Sequence, residues 1–366
     1  MLTRSGVPVR LGAALTFIIF VSNRFKMLYP ILTYSRDSGD FSHDLAALHK
    51  CGLKAIRLIY KGKTEAEMNS RIREIQDKIR DCKLELDIVI DLPGNKPIVG
   101  GLPNPLNIVL GKEYRLTDQS KDSLPEAIPT LNFFSHERFA ELKTGDVISV
   151  ADDELNFLVT EISESYILCK AHNSFRLTSN RSISVKNKPF DFFANSAKDL
   201  LFVENMKEPE HNVKLLVSFT RKADDILKLK YLQPDVDIIP KIENVLDDAT
   251  LVDILSCCQT IMLGRGDLST SSAVTELFSF QKRLINLCMI HNKRLIIGTG
   301  LLQGIGHQQS PSIAEIMDYG YLCDRGIDAF LISGSNAHNE PFRTLEFMSS
   351  FNLTNAHSDL SVGGCA

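Results

Sequence analysis

Short apolar runs that alternate with stretches of helical periodicity are the feature that most constrains the fold of this 366-residue chain. Alternation of this kind is typical of parallel strands joined by crossover helices. The predicted strands are Leu28–Tyr34, Ala55–Tyr60, Leu86–Asp91, Val213–Ser218, Val236–Lys241, Thr260–Leu263, Leu295–Gly298 and Ala329–Ser333. Eight such units predict an α/β fold, the (β/α)8 or TIM barrel.

The interval between the third and fourth predicted strands breaks this alternation. It is too long for a loop in a compact domain. Four of its segments alternate apolar and polar residues between turn residues, namely Asp146–Val150, Leu155–Ile162, Tyr166–Ala171 and Ser182–Val185. We therefore predict a small β-barrel inserted after the third strand. The predicted division is 27–97 and 186–351 for the main barrel, 98–185 for the insertion and 352–366 for a polar tail.

Residues 1–26 precede the first predicted strand and contain an apolar run from Leu11 to Val21. This run is too short to span a bilayer comfortably. Its length would suit a secretory signal, but Ser22–Lys26 is a poor small-residue cleavage site. We expect an N-terminal extension of unknown role, with a secretory signal as the alternative. No other stretch could cross a membrane.

The net charge and the cysteines indicate which binding partners and which cellular compartment to expect. The net charge of −4 gives no electrostatic reason to expect nucleic acid. The 8 cysteines form no CxxC pair and no cluster with zinc-ligand spacing. We expect reduced thiols in a cytoplasmic protein that acts on a small molecule.

Polar residues stand where several predicted strands end. They supply a lysine, two carboxylates and two hydroxyls, namely Lys241, Glu243, Asp267, Thr299 and Ser333. The carboxyl ends of barrel strands meet at one mouth, which is where such barrels build active sites. Two carboxylates beside a lysine suit a divalent metal that holds an anionic, oxygen-rich substrate. A single Lys-x-Glu or Arg-Gly-Asp would be read as a surface ion pair or a turn.

Four motifs resemble, in order and spacing, those of the pyruvate kinase family. They are Lys241–Asn244, Gly264–Ser269, Gly298–Leu302 and Ile332–Asn336, with a shorter match at Ser218–Arg221. The family carries an inserted lid where this chain has its insertion, and typical members continue into a further domain. Only one helix, Pro341–Phe351, is predicted after the last motif, so we expect a short form without that domain.

The resemblance implies phosphoryl transfer from phosphoenolpyruvate to ADP, which gives pyruvate and ATP. Glu243 and Asp267 would hold Mg²⁺ or Mn²⁺ through hard oxygen ligands. Lys241 would lie on the transferring phosphoryl group and stabilise its charge, and Arg57 would bind phosphate. These roles follow from the motif matches.

The same resemblance implies where the rest of the substrate binds. Backbone N–H groups and one hydroxyl would hold the substrate carboxylate, at positions Gly264, Arg265, Gly266, Asp267 and Thr299. Thr299 and Ser333 would also lie beside the enolate carbon that gains a proton.

The segment after the third strand departs from the common family pattern. Lys96 stands in place of a glutamate, and the family members that work without potassium carry lysine there. Those members pair the lysine with leucine and an aliphatic residue, which Leu92 and Val99 match. The resemblance implies that the Lys96 ammonium, with Asp91, replaces a potassium ion. The alternative is that these residues changed by neutral drift in a site that has lost its function.

Other departures fall on the nucleotide side of the expected site. Ile98 replaces an arginine near the transferring phosphate, Gly62 replaces a histidine, and Ser335 replaces a glutamate. Ile59 and Lys61 replace an asparagine and a serine that help to bind the monovalent cation. The metal and acid pocket is expected to be retained, and the ADP site to be eroded.

Three functions therefore stay open at the level of sequence. The first is a potassium-independent pyruvate kinase. The second is a metal-dependent lyase, aldolase or decarboxylase that acts on a 2-oxo acid. The third is a non-catalytic homologue that binds a metabolite or a partner. We expect a homo-oligomer with no membrane association.

Overall fold

The computed structural model describes residues 27–34, 45–100, 102, 104–117, 130–132, 142–151, 154–163, 166–186, 193–206, 213–271 and 273–361. The predicted N-terminal extension lies outside these residues. The described strands, in chain order, are β1 (Tyr29–Thr33), β2 (Ala55–Ile59), β3 (Asp87–Leu92), β4 (Leu106–Ile108), β5 (Glu113–Thr117), β6 (Thr130–Asn132), β7 (Val147–Val150), β8 (Leu155–Ile162), β9 (Ile167–Ala171), β10 (Phe175–Leu177), β11 (Ile183–Val185), β12 (Val213–Val217), β13 (Asp237–Ile242), β14 (Thr260–Gly264), β15 (Arg294–Gly298) and β16 (Ala329–Ile332).

Eight parallel strands close into a barrel, which confirms the predicted fold class. Strands β1 to β3 and β12 to β16 pair side by side, and β16 pairs with β1 to complete the ring. The parallel register places Asp91 opposite Leu216 and Gly264 opposite Gly298. The residues that follow these strands therefore meet at one mouth, the C-terminal mouth of the barrel.

Helices cover the outside of the barrel. In chain order the described helices are α1 (Leu45–Lys50), α2 (Glu65–Asp81), α3 (Ala197–Glu204), α4 (Ala223–Leu232), α5 (Asp248–Ser256), α6 (Arg265–Ser271), α7 (Val274–Ile290), α8 (Gln303–Gly306), α9 (Ile313–Asp324), α10 (Gly334–Asn339) and α11 (Pro341–Ser361). Capping boxes fix where some of them begin: at α9, the Ser312 hydroxyl accepts from the Glu315 N–H, and the Glu315 carboxylate accepts from the Ser312 N–H. None of the described helices is long and apolar enough to span a bilayer.

The last helix runs farther than predicted. Residues 352–361 were expected to belong to a polar tail, but α11 continues through them to Ser361. Their polar composition suggested a tail, yet they contain no glycine or proline that would end a helix.

The insertion consists of short strands around one apolar core, but its described strands form two sheets and do not close into the predicted small β-barrel. A six-stranded sheet has the order β11-β7-β8-β9-β5-β6, and β4 pairs with β10 in a separate two-stranded sheet. Both sheets contribute to the same core, which includes Ile108, Tyr114, Phe157 and Leu177. Phe219 follows barrel strand β12 but packs in this core as well. The exact domain boundaries stay a prediction.

The inside of the main barrel is filled by side chains. Apolar residues from successive strands form a separate interior cluster that includes Ile31, Val89, Leu216, Ile239 and Met262. A filled interior of this kind is a packed core and leaves no pore. Access to the ends of the strands is therefore from the two mouths.

Charged groups around one tyrosine close the N-terminal mouth of the barrel. This N-terminal cluster consists of Tyr29, Asp87, Lys214, Asp237, Arg294 and Asp328. The Tyr29 hydroxyl donates to Asp87, and Lys214 Nζ lies 3.0 Å from the Asp87 carboxylate. The cationic groups of Lys214 and Arg294 lie 5.5 and 4.9 Å from the centre of the Tyr29 ring. Burial, aided by Asp87, raises the pKa of the Tyr29 phenol.

Candidate active site

A cleft of about 920 Å³ opens at the C-terminal mouth of the barrel. Every residue that the sequence predicted for the site lines it, namely Arg57, Asp91, Lys96, Lys241, Glu243, Gly264, Arg265, Gly266, Asp267, Thr299 and Ser333. Glu154, Arg181 and Ser182 of the insertion line the same cleft. The site therefore lies between the barrel mouth and the insertion.

Strand β13 supplies a lysine and a glutamate to the cleft. Lys241 and Glu243 are two positions apart, so both side chains point the same way. Lys241 Nζ lies 2.8 Å from Glu243 Oε1 and 3.9 Å from Asp91 Oδ2. Burial opposes the charged form of Lys241, but Asp91 and Glu243 outweigh burial and raise its pKa. The ammonium group is therefore held protonated in a buried position.

A missing side chain on the next strand makes room for these two groups. A Cβ atom on Gly264 would lie 2.7 Å from Glu243 Cγ and 3.1 Å from Lys241 Cε. The second carboxylate oxygen of Glu243 accepts the N–H of Phe219 at 3.0 Å. Phe219 adopts a φ of +57°, a left-handed conformation that non-glycine residues seldom adopt. The N–H of Phe219 on one side and the missing side chain of Gly264 on the other thus hold Glu243 in place.

Asp267 and Glu243 form a pair of neighbouring carboxylates. The Asp267 carboxylate is ion-paired with the Lys96 ammonium and lies close enough to Glu243 for the two charges to interact. Burial raises the pKa of Glu243, and the Asp267 carboxylate adds to this effect against the opposing charge of Lys241. Burial acts the same way on Asp267, but the ammonium groups of Lys96 and Lys241 outweigh it and lower its pKa.

These two carboxylates fit a divalent metal. Adjacent buried carboxylates destabilise each other's charged forms, and a bound cation would relieve this repulsion. Within the described residues, no group of three or more His, Cys, Asp or Glu side chains is placed to hold a metal. Magnesium ordinarily uses one or two carboxylates and completes its shell with waters and substrate oxygens. Glu243 and Asp267 match that requirement.

Asp91, at the end of β3, lies at the centre of a second network. Its carboxylate accepts from Arg57 Nε at 2.8 Å and from the Ser218 hydroxyl at 3.1 Å. Arg57 also donates to the Thr33 hydroxyl at 3.1 Å. Burial alone would raise the pKa of Asp91, but Lys241 and Arg57 outweigh burial and lower it. Asp91 thus orients Arg57 and Lys241, two of the cations that line the cleft.

Lys96 pairs with a different carboxylate from the one expected from the sequence. Lys96 was expected to act with Asp91, but its ion pair in the structure is with Asp267. Its ammonium also lies 5.9 Å from the centre of the Phe219 ring. The segment that connects β3 to the insertion therefore brings a positive charge directly to a predicted metal ligand.

The segment after β15 has an unusual backbone. Thr299, Gly300 and Leu302 have φ values of +69°, +72° and +50°. A β-branched residue in this region costs of order 1–3 kcal/mol and persists only where its surroundings enforce it. Here the Asn336 amide donates to the carbonyls of Leu301 and Leu302 at 3.1 and 2.9 Å.

The Arg265 side chain holds the first residue of this segment. Its Nε donates to the Thr299 carbonyl at 3.0 Å, and its Nη1 donates to both Asp318 carboxylate oxygens at 3.1 and 2.8 Å. The predicted role of Arg265 in substrate binding concerned its backbone N–H. The guanidinium is engaged by the protein itself.

On the predicted nucleotide side, Ile98 and Gly62 lie against residues of the insertion. Ile98 forms an isolated bridge with Ser182 of the insertion. A Cβ atom on Gly62 would lie 2.4 to 2.8 Å from side-chain atoms of Asn180. The insertion thus occupies the space into which a side chain at position 62 would project.

Several residues that shape the site were absent from the predicted set. Ser218 and Phe219 lie in the Ser-Phe-Thr-Arg stretch after β12, so the motif itself pointed to them. Asn336 lies in the Ile332–Asn336 motif, so that motif pointed to it as well. Asp318 acts through a side chain on α9, and its spacing in the sequence gave no signal.

Comparisons with known proteins agree with the fold and the motifs. A family model described as pyruvate kinase, barrel domain, matches residues 31–344. Plastidial pyruvate kinase 2 of Arabidopsis thaliana is 28% identical over 260 residues, which cover 69% of this chain and 44% of that protein. Pyruvate kinase 2 of Saccharomyces cerevisiae is 27% identical over 81% of this chain and 60% of its own length. This chain therefore spans about half the length of the curated relatives that it matches.

Proposed function

The chain belongs to the pyruvate kinase family, and from this premise we propose that it transfers a phosphoryl group from phosphoenolpyruvate to ADP. The observation that carries the proposal is the buried cluster of Lys241, Glu243 and Asp267 at the mouth of a cleft. Phosphoryl transfer asks the protein for positioning and charge neutralisation and for little covalent chemistry. This cluster is suited to both tasks.

Lys241 and Arg57 would neutralise the transferring group. The raised pKa of Lys241 keeps its ammonium charged, and its contacts with Asp91 and Glu243 fix its direction. Arg57 is held by Asp91 and Thr33, so its remaining N–H groups would meet phosphate oxygens in a fixed orientation. Charges held in place before the reaction need no reorganisation at the transition state.

Glu243 and Asp267 would hold Mg²⁺ or Mn²⁺. When bound, the metal would supply positive charge to the substrate oxygens. The Phe219 N–H and the absent side chain of Gly264 keep the Glu243 carboxylate in place. The substrate carboxylate would be held by the N–H groups of Gly264 to Asp267 and by the Thr299 hydroxyl, with Thr299 and Ser333 beside the carbon that gains a proton.

The proposal includes independence from potassium. Lys96 brings an ammonium group into the cleft, where it can take over the role of a monovalent cation. Ile59, Lys61 and Leu92 replace residues that would otherwise supply coordinating oxygens. A cytoplasmic location and a homo-oligomeric state belong to the same proposal.

A second candidate is a metal-dependent lyase or decarboxylase that acts on a 2-oxo acid. The observation that favours it is the nucleotide side, where Ile98 offers no charge and Asn180 fills the space above Gly62. Metal-assisted stabilisation of an enolate needs Glu243 and Asp267 but no ADP site.

One assay separates the candidates. Pyruvate formation from phosphoenolpyruvate with Mg²⁺ is measured with and without ADP, and with and without K⁺, against the Lys241→Met variant. ADP-dependent turnover that is lost in the variant supports the first proposal. Decarboxylation of oxaloacetate without nucleotide supports the second. Metal binding with no turnover of either substrate contradicts both and leaves a non-catalytic homologue.

A further inference from the structure

The strained segment from Thr299 to Leu302 is held from outside by side chains of other elements. The Thr299 carbonyl accepts from Arg265, and the Leu302 carbonyl accepts from Asn336. Glu315 of α9 accepts the N–H of Gly304 just beyond the segment, at 2.9 Å. A left-handed threonine is unfavourable on its own, so these contacts decide the conformation in which Thr299 meets the cleft.

Asp318 is the residue on which the arginine contact depends. It lies on α9, and its carboxylate binds Arg265 Nη1 through both oxygens. This leaves Nε aimed at the Thr299 carbonyl, in the fixed geometry of a planar guanidinium. The Arg265 side chain is largely buried, with a relative exposure of 12%. Its charge is therefore matched within the protein.

On its other side, the Thr299 side chain faces Gly266. A Cβ atom on Gly266 would lie 3.1 Å from the Thr299 methyl and 3.6 Å from its hydroxyl oxygen. The start of α6 thus holds the carbonyl of Thr299 through Arg265 and leaves room for its methyl at Gly266. Thr299 itself lines the cleft.

We propose that Asp318 is a positioning residue, which acts through Arg265 to hold Thr299 in its left-handed conformation. The guanidinium of Arg265 acts on Thr299 and does not bind the substrate. The catalytic consequence rests on the proposed function, in which the Thr299 hydroxyl lies beside the reacting carbon. A misplaced reacting group should then lower kcat and leave KM for phosphoenolpyruvate close to its wild-type value.

The backbone of Thr299 can be observed directly by NMR. Thr-Gly occurs twice in the sequence, at Thr144–Gly145 and Thr299–Gly300. A protein with ¹³C-carbonyl threonine and ¹⁵N-glycine should therefore give two carbonyl–nitrogen cross-peaks. The Thr299→Ser variant assigns one of them by removing it. The peak from Thr144 in the insertion serves as an internal reference.

The test compares Asp318→Asn and Arg265→Met with a matched ion pair elsewhere. Arg294 and Asp328 at the N-terminal mouth lie 2.8 Å apart, and Asp328→Asn removes one partner far from the cleft. We expect Asp318→Asn and Arg265→Met to move the Thr299 peak and leave the Thr144 peak in place. Asp328→Asn should move neither.

The kinetic readout is the split between kcat and KM. Asp318→Asn and Arg265→Met should each lower kcat by roughly 10- to 100-fold, the range for a small misplacement of a reacting group. The variant with both Asp318→Asn and Arg265→Met should lose no more of kcat than the more damaging single variant, because both substitutions act on one contact. Arg265→Lys keeps the charge but lacks the planar fork, so it should not restore kcat.

Two results would overturn the proposal. One is a Thr299 peak that stays in place in both Asp318→Asn and Arg265→Met. The other is a rise in KM at unchanged kcat, which would make Arg265 a substrate ligand. A chain without phosphotransfer activity would refute the proposed function alone, because the position of the Thr299 peak would still decide whether Asp318 holds this residue. If Asp318→Asn does not fold, Arg265→Lys and Arg265→Met carry the same comparison.

Discussion

The two mouths of the barrel contain similar side chains in different surroundings. At each end a lysine lies between carboxylates, Lys214 beside Asp87 and Lys241 beside Glu243. At the N-terminal mouth the cations pack over the ring of Tyr29 and their charges are satisfied in place. At the C-terminal mouth they border a cleft of about 920 Å³. Ion pairs of a similar kind therefore cover one end of the barrel and border an open cleft at the other end.

Backbone conformation shows the same contrast. Phe219, Thr299 and Leu302 at the C-terminal mouth all have positive φ values. No member of the N-terminal cluster, all of which are described, has one, although Lys83 and Asn292 have positive φ values in the turns that lead into β3 and β15. Strained residues persist where the surrounding structure enforces them, and they concentrate at functional sites. We therefore expect the N-terminal mouth to contribute to stability and the C-terminal mouth to the proposed chemistry.

Matched removal of the two lysines tests this contrast most strongly. We expect Lys241→Met to lower phosphotransfer by at least ~100-fold, the range for losing one preorganised charge contact. Lys214→Met should leave activity within a few-fold of wild type. It should instead lower the free energy of unfolding by about 1–3 kcal/mol, because Asp87 loses a charged hydrogen bond. Coupled assays and urea unfolding of both variants provide the measurement. Equal activity losses would remove the distinction between the mouths.

Divalent-metal binding should distinguish the carboxylates of the two ends. Asp267→Asn and Glu243→Gln each remove a charged oxygen ligand, so each should weaken Mn²⁺ binding by ~10-fold or more. Asp237→Asn at the opposite mouth should leave Mn²⁺ binding unchanged. Titration of Mn²⁺ followed by its paramagnetic resonance gives the affinities without reference to activity. Unchanged affinity in Asp267→Asn would contradict the metal assignment.

The role of Lys96 predicts how the C-terminal mouth responds to monovalent cations. Wild-type activity should be the same in K⁺ as in a buffer of a large organic cation. Lys96→Glu places a carboxylate among Glu243 and Asp267, so activity should fall by roughly 10-fold through like-charge repulsion. Added K⁺ should restore only part of it, because Ile59 and Leu92 supply no coordinating side-chain oxygen. Strong activation of the wild-type protein by K⁺ is the opposite outcome.

The smallest expected effect concerns alkaline pH at the N-terminal mouth. The folded-state pKa of Tyr29 is raised by burial and Asp87, so the folded protein keeps a proton that the unfolded chain releases near pH 10. Stability should therefore fall as pH rises above about 10, by up to ~1.4 kcal/mol per pH unit. The Tyr29→Phe variant has no phenol to titrate, so its stability should lack this pH dependence. Relative to wild type, its free energy of unfolding should be lower by about 1 kcal/mol at pH 8, through the lost hydrogen bond, and by less at pH 11. Urea unfolding at both values is the check, and a constant difference would contradict it.

The barrel could be predicted because its signal is local. Each strand is an apolar run, and the eight runs stand out from the helical stretches around them. Short elements were harder to predict: β4 and β10 of the insertion have three residues each and lie among turns. The end of α11 was missed because polar residues continue the helix beyond the expected Phe351.

The candidate site followed from the motifs, but its internal contacts did not. The motifs placed Lys241, Glu243 and Asp267 together because the ends of parallel strands meet. The partner of Lys96 depends on how the chain leaves the barrel between β3 and the insertion, which no local pattern encodes. The pairing of Arg265 with Asp318 joins a turn to a helix more than fifty residues away. Contacts of this kind arise from tertiary packing alone.

Phe219 links the insertion to the barrel, which affects how this scaffold could be shortened by evolution or by engineering. Its ring packs in the core of the insertion, while its own N–H holds Glu243 in the barrel. One residue thus belongs to the hydrophobic interior of one unit and to the chemistry of the other. Cutting out residues 98–185 to obtain a minimal barrel would strip the cover from this ring and loosen the glutamate with it. In this chain the inserted unit is therefore not a detachable module, and a shortened descendant would have to replace Phe219 before it could discard the insertion.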